Sequence, residues 1–137
     1  MVTICGGGVG DLPAVVALWK RAGGPTRHAG RHDEAEALLR RDPEALLVAE
    51  EDGHIVGTLI VGWDGWRCHL YRLAVEPAAR RFGVASLLAA EARRRATRLG
   101  AVRIDAMVNR DNAGAVAFWE NVGFAFDEPE GRWSLLL

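Results

Sequence analysis

Residues 68–100 read CHLYRLAVEPAARRFGVASLLAAEARRRATRLG, and this stretch decides the fold. An apolar strand pattern runs into Glu76-Pro77, then Arg80-Arg81-Phe82-Gly83-Val84-Ala85, and from there into a long amphipathic helix. The helix is expected from about Arg80 to Leu99, with Val84, Leu87, Leu88, Ala92, Ala96 and Leu99 on one stripe and Gly100 as its C-terminal stop. The first N–H groups of a helix have no internal partners, and the helix dipole places partial positive charge there. A short glycine-containing turn feeding such an N-terminus suits phosphate, so residues 80–86 are expected to hold a phosphorylated ligand. The plainer alternative is a tight turn in which Gly83 only permits close helix packing.

Two familiar phosphate loops do not fit. The dinucleotide fingerprint wants three spaced glycines after the first strand, and the ATP/GTP loop wants Gly-Lys followed by Ser or Thr. The chain's one lysine, Lys20, is far from any such run. Gly6-Gly7-Gly8-Val9-Gly10 follows the strand-like Val2-Thr3-Ile4-Cys5 but lacks either spacing. It reads as a connector, with Asp11 as N-cap of a helix carrying Val15, Val16, Leu18 and Trp19.

Arg80, Gly83 and Ala85 match the pattern Arg or Gln, two residues, Gly, one residue, Gly or Ala, with Leu73-Ala74-Val75 and Pro77 upstream. A second block, Asn112 to Phe124, runs Asn, two residues, Ala, an apolar-aromatic pair and a closing Gly-Phe. Together these blocks resemble the GNAT superfamily of acyl-CoA-dependent N-acetyltransferases, over nearly the whole chain from Val2 onward. The resemblance implies an α/β fold with a mixed, mostly antiparallel central sheet of about six to seven strands flanked by about four helices. It is expected to form a single domain over residues 1–137.

The pass along the chain agrees. Strand 2–5, helix 11–22, a loop over 23–32 and a helix from Asp33 to the Asp42-Pro43 stop are followed by a hairpin, Ala45–Glu50 and His54–Trp63 across Asp52-Gly53. Asp64-Gly65 turns into the strand Trp66–Val75. After the long helix come a strand at Val102–Met107, a helix at Asn112–Asn121 and two short strands, Phe124–Phe126 and Trp133–Leu137.

Bulk properties narrow the partners. A formal net charge of −1 gives no global field for nucleic acid or an anionic membrane. The absence of a signal-like segment and of a long apolar run points to a cytoplasmic protein. Cys5 and Cys68 are too few for a disulfide framework or a zinc site, so no metal is expected and both read as small buried residues. Arg93-Arg94-Arg95 reads as a solvated helix face. The short late strands offer edges through which a homodimer could form.

The resemblance also implies a cofactor, acetyl-CoA (coenzyme A). The N–H groups of Arg81, Phe82, Gly83, Val84, Ala85 and Ser86 would cradle its pyrophosphate, with Arg80 and Arg81 adding charge and Ser86 offering its hydroxyl. The pantetheine arm would pair with the main chain of Leu73, Ala74 and Val75 like an added strand. Asn112 would bond that arm, unless it serves only as a helix N-cap, and Trp119 would pack near the thiol end. The activity implied is N-acetylation of a primary amine of a small molecule or protein by direct transfer. The alternative is a non-catalytic acyl-CoA-binding module.

The chemistry departs from the family pattern. Trp119 stands where family members carry a tyrosine as general acid, and indole is no useful proton donor to a thiolate. His69 occupies the fourth-strand position of a glutamate base found in some members, and histidine is a residue type suited to general-base work near neutral pH. Strand alternation would put His69, Tyr71, Leu73 and Val75 on one face if no bulge intervenes, with His69 as base and Tyr71, the one tyrosine, as phenol donor. Met107 stands where other members place a fifth-strand glutamate, with Asp105 two residues earlier on the same face. For the acceptor, Trp19, Arg27, His28, Arg31 and the Trp63-Asp64-Gly65-Trp66 turn are candidates. Arg27 and Arg31 suit a substrate carboxylate, and Asp64 and Asp105 a cationic amine.

Overall fold

Turn chemistry orders the sheet. Asp52 and Gly53 both take positive φ (51° and 77°), the backbone that a two-residue hairpin with right-handed twist requires, between β2 (Leu46–Glu51) and β3 (His54–Trp63). Asp64 Oδ1 accepts from the N–H groups of Trp66 (2.8 Å) and Arg67 (2.7 Å), reversing the chain into β4 (Cys68–Val75). β1 (Thr3–Gly6) pairs antiparallel with β2, and β5 (Ile104–Ala106) pairs parallel with β4. That parallel pair needs a crossover, and α3 (Val84–Leu99) supplies it. In this computed structural model, which describes residues 1–22, 32–127 and 129–137, the sheet order is β1-β2-β3-β4-β5.

Each face of the sheet receives its own helices. Leu46, Val48, Ile60 and Ala74 face α1 (Leu12–Ala22) and α2 (His32–Arg41), which contribute Leu12, Val15, Leu18, Trp19, Ala35 and Leu39 to one buried cluster. The alternate residues of β2 and β3 meet α3. The approach there is close. A Cβ on Gly57 would lie 2.8 Å from Val84 Cγ1 and 3.1 Å from Leu88 Cδ1, so a glycine in β3 sets how near the first turn of α3 comes to the sheet.

Further along α3, Arg95 is buried, not solvated as the triplet reading expected. Its Nη1 donates to Val61 O (2.9 Å) and its Nη2 to both carboxylate oxygens of Asp42 (3.0 and 2.9 Å). Seven residues after Leu88 and three after Ala92, it lies on the same inward stripe, which the helical spacing already contained. The guanidinium ties α3 to β3 and to the end of α2.

Several expected boundaries move. α3 begins at Val84, because Pro77–Ala79 form a separate 3-10 turn and residues 80–83 a further turn. Asp11 does not cap α1. It sits in a 3-10 turn, Val9–Asp11, and its Oδ2 accepts from Gly8 N–H (2.8 Å). Among the described residues the sheet has five strands rather than six or seven, because Phe124–Phe126 and Trp133–Leu137 are not strands. Trp133, Leu135, Leu136 and Leu137 stand exposed: apolarity expresses a preference for burial, and strand formation needs a paired edge as well. The loop expected over 23–32 lies outside the described residues except for His32, which opens α2. No helix among the described residues is long and apolar enough to cross a membrane.

The chain divides into two compact units, Met1–Met107 and Val108–Leu137. The second contains α4 (Ala113–Asn121), whose buried Trp119 meets Phe118 and Phe124 edge to face at centroid distances of 5.1 and 4.8 Å.

Candidate active site

The turn before α3 has the form a phosphate cradle requires. Arg81 and Gly83 both take positive φ (75° and 78°), and Gly83 is the N-cap of α3, with no side chain bonding the first helical N–H groups. The donors of Val84, Ala85 and Ser86 therefore emerge at the dipole's positive end, without a carbonyl one turn back to accept them. Arg81, Phe82, Gly83 and Ser86 are exposed, so the cradle is open, and Phe82 and Leu87 give it an apolar flank.

The turn is held from behind. Arg80 Nε donates to Val75 O (3.2 Å) and its Nη2 to Ala22 O (3.3 Å) at the C-terminus of α1. Arg21 pairs with Glu76 at 2.6 Å across the same junction. Arg80 thus points back toward β4 and α1, whereas Arg81 is exposed at the turn. Gly57, across the sheet from Val75, lets Val84 seat against β3 and so sets the depth of the turn. Sequence reasoning passed over Gly57, although a lone glycine inside a strand pattern is a signal of close backbone approach.

β4 supplies an edge and a bulge. The β4–β5 ladder ends at Leu70 with Ala106, so residues 71–75 have no strand partner on that side among the described residues. Toward β3, Tyr71 pairs with Ile60 and Ala74 with Thr58, leaving Arg72 and Leu73 opposite the single residue Leu59. The bulge corrects the expected alternation. His69 and Tyr71 share the α1/α2 face with Ile60, whereas Val75, paired with Gly57, lies on the α3 face. Arg72 takes φ 56° there, a conformation costly for a residue with a side chain.

Below the bulge is a cleft of about 280 Å³ lined by Trp19, Glu34, Ala35, Leu38, Ile60, Tyr71 and Arg72. The Trp19 indole N–H donates to Thr58 Oγ1 (2.9 Å), and that hydroxyl donates to Arg72 O (3.0 Å). The Arg72 guanidinium lies 5.3 Å from the Trp19 ring centroid. Tyr71 is half-exposed at the cleft wall, and burial of its ring pushes the phenol up, keeping it protonated through neutral pH. Its ring leans over Gly62, where a Cβ would meet the hydroxyl at 3.4 Å. Gly62 is the cross-strand partner of His69, so the phenol lies along the sheet toward the imidazole.

His69 stands in register with Asp105 of β5, Nδ1 lying 3.8 Å from Oδ2, and Arg103 Nε holds the other carboxylate oxygen at 3.1 Å. Hydrogen bonds from the Arg67 and Trp66 N–H groups hold the Asp64 carboxyl below its ordinary range. Burial pushes both thiols, Cys5 and Cys68, upward, so neither is a ready thiolate. Of the acceptor candidates, Arg27, His28 and Arg31 lie outside the described residues, Trp66 is exposed and Trp63 half-buried. In the second unit, Asn112 is the N-cap of α4, its Oδ1 accepting from Ala115 N–H (3.0 Å). No group of three or more metal-ligating side chains occurs among the described residues.

An open N–H cradle at the start of α3, beside an unpaired stretch of β4 in a mixed α/β sheet, matches a family pattern. Residues 12–124 match the model of the acetyltransferase (GNAT) family. An acetyltransferase of Pectobacterium atrosepticum is 32% identical over 114 residues, covering 83% of this chain and 81% of that protein. Among solved structures, the PaiA N-acetyltransferase of Thermoplasma acidophilum in complex with coenzyme A superposes with a TM-score of 0.83 at 18% identity, covering 96% of this chain and 94% of that one. Ard1 of Thermoplasma volcanium gives 0.82 at 21% identity, covering 92% and 84%. The chain belongs to the GNAT acetyltransferase family.

Proposed function

We propose that this protein transfers an acetyl group from acetyl-CoA to a primary amine of a small molecule or protein, directly within a ternary complex. The observation that carries the reading is the side-chain-free helix N-terminus at Gly83 next to the unpaired β4 edge. The N–H groups of Arg81 to Ser86 suit a pyrophosphate, and the main chain of Leu73, Ala74 and Val75 suits the amide-bearing pantetheine arm. The cofactor's thioester supplies an activated acyl group.

The rest is asked of the protein. An alkyl ammonium has a reference pKa of about 10.4 and must lose a proton before it can attack. His69 takes that proton, directly or through a water. Tyr71 returns one to the departing thiolate, a task for which its raised pKa keeps it protonated. Main-chain N–H groups near Leu73-Ala74, beside the bulge, would serve as donors to a developing oxyanion. The raised thiol pKa values of Cys5 and Cys68 favour direct transfer over an acyl-cysteine route. Asn112 and Trp119 are assigned to the cofactor by resemblance.

Calorimetric titration with acetyl-CoA tests the reading, with Gly83→Glu as control and thiol release with pooled amines as the second step. Micromolar binding lost in the variant, followed by thiol release, is expected. Binding without turnover across a broad amine panel would leave a non-catalytic acyl-CoA-binding module. No binding at millimolar cofactor would overturn both.

A further inference from the structure

We infer that the cleft under the β4 bulge selects acceptors that carry a carboxylate close to the amine, that is, small α-amino acids with an apolar or aromatic side chain, and that Arg72 reads the carboxylate. The inference rests on the acetyltransferase reading and names the acceptor class of that same site.

Among the described residues the cleft is lined by one acidic and one basic residue, Glu34 and Arg72, with Trp19, Ala35, Leu38, Ile60 and Tyr71. A small, mostly apolar pocket with few charged groups takes orientation and specificity from those groups. Two opposite charges on one small wall complement a zwitterion better than a lone cation or a neutral amine. The remaining lining suits an aliphatic or aromatic side chain, and about 280 Å³ matches a ligand of that size rather than a folded protein surface.

Arg72 is built for this role in a way a surface arginine is not. The bulge forces it to φ 56°, its carbonyl is held by Thr58 Oγ1, Thr58 in turn accepts from Trp19, and the Trp19 ring lies beneath the guanidinium. Thr58 is fully buried, so this circuit is anchored in the core. The bulge and Thr58 fix the backbone from which Arg72 projects, and the Trp19 ring lies against its guanidinium, so the side chain starts from a restricted position. A guanidinium carries five N–H donors, enough to donate to a carboxylate in bidentate fashion in addition to its present contacts. Glu34, in the same lining and in addition to its present contacts, would then hold the amino group.

The test is equilibrium binding to the full chain, measured by calorimetry in parallel with acetyl-CoA. The probes are phenylalanine, phenethylamine (no carboxylate) and 3-phenylpropionate (no amine). Phenylalanine is expected to bind at least about tenfold more tightly than either analogue, the range expected for losing a charge-assisted hydrogen bond. Arg72→Gln should remove the preference over phenethylamine, and Glu34→Gln the preference over phenylpropionate. Arg72→Lys, which keeps charge but loses the fork, should fall between. Thermal unfolding of each variant separates loss of the site from loss of the fold. Phenethylamine binding as tightly as phenylalanine, an unchanged preference in folded Arg72→Gln, or no binding of phenylalanine at millimolar concentration would each overturn the inference. Acetyl-CoA binding without amino-acid binding would sink this inference alone, whereas loss of acetyl-CoA binding would sink the acetyltransferase reading itself.

Discussion

The two flanks of β4 are equipped by opposite means. Toward α3, the candidate cofactor site is almost all main chain: the N–H groups at Gly83, the edge of residues 73–75, beyond the end of the β4–β5 ladder, and a glycine at position 57 that lets the helix close in. Toward α1 and α2, the cleft is all side chain, with Trp19, Glu34, Tyr71 and Arg72 converging and His69 nearby on the same face. A main-chain site tolerates substitution except where a side chain would clash or a positive φ is required. A side-chain site depends on each group it contains. The bulge at Arg72-Leu73 joins the two regimes, since it interrupts the ladder on one flank and aims Arg72 into the cleft on the other.

The largest effect should come from a residue that serves both flanks. Arg95→Ala leaves Asp42 without its guanidinium and Val61 O without its donor, and should cost about 3 kcal/mol, near the lower end for a broken buried pair because Asp42 is partly solvated. Denaturant unfolding measures it. A loss below about 0.5 kcal/mol would mean that the pair does not anchor α3.

Tyr71→Phe should separate the flanks. Thermal stability and acetyl-CoA affinity should hold, while kcat falls about 100-fold, the lower range for a general acid. The sign of the pH dependence follows from the raised phenol pKa: the donor is competent below that value and lost above it. The wild-type rate should therefore not decline through Tyr71 until pH passes the ordinary tyrosine value of about 10. A two- or three-fold loss in both Tyr71→Phe and His69→Ala would remove these residues from the chemistry.

Gly57→Ala should act in the reverse sense. The added methyl meets Val84 at 2.8 Å and pushes the first turn of α3 outward, costing about 1–3 kcal/mol in overpacking. Acetyl-CoA affinity should weaken while the pH profile of the remaining activity stays unchanged. A variant with wild-type affinity would show that the depth of the turn does not matter.

Legibility followed the same division. The strand–turn–helix order, the hairpin turns at Asp52-Gly53 and Asp64-Gly65, and the turn at Gly83 were readable because local backbone chemistry depends on nearby residues. Arg95 was readable in principle from its place on the apolar stripe, yet its company in an arginine triplet disguised it. Arg72 gave no local sign, because nothing in Tyr71-Arg72-Leu73 tells that two residues will face one across the strand pair. The terminal apolar segments misled for a related reason: a strand is completed by a partner that sequence pattern does not name.

By itself, the sequence determined the order of elements from β1 to α4, the strand–turn–helix junction at Gly83 and the family, all of which rest on short-range spacing. Tertiary structure decided which face each residue of β4 occupies, how closely α3 approaches β3, that Arg95 is buried, and that Trp19, Glu34, Tyr71 and Arg72 line one cleft. Those depend on strand register and on contacts between residues far apart in the chain. A one-residue shift in pairing reverses a face, and no local preference records it.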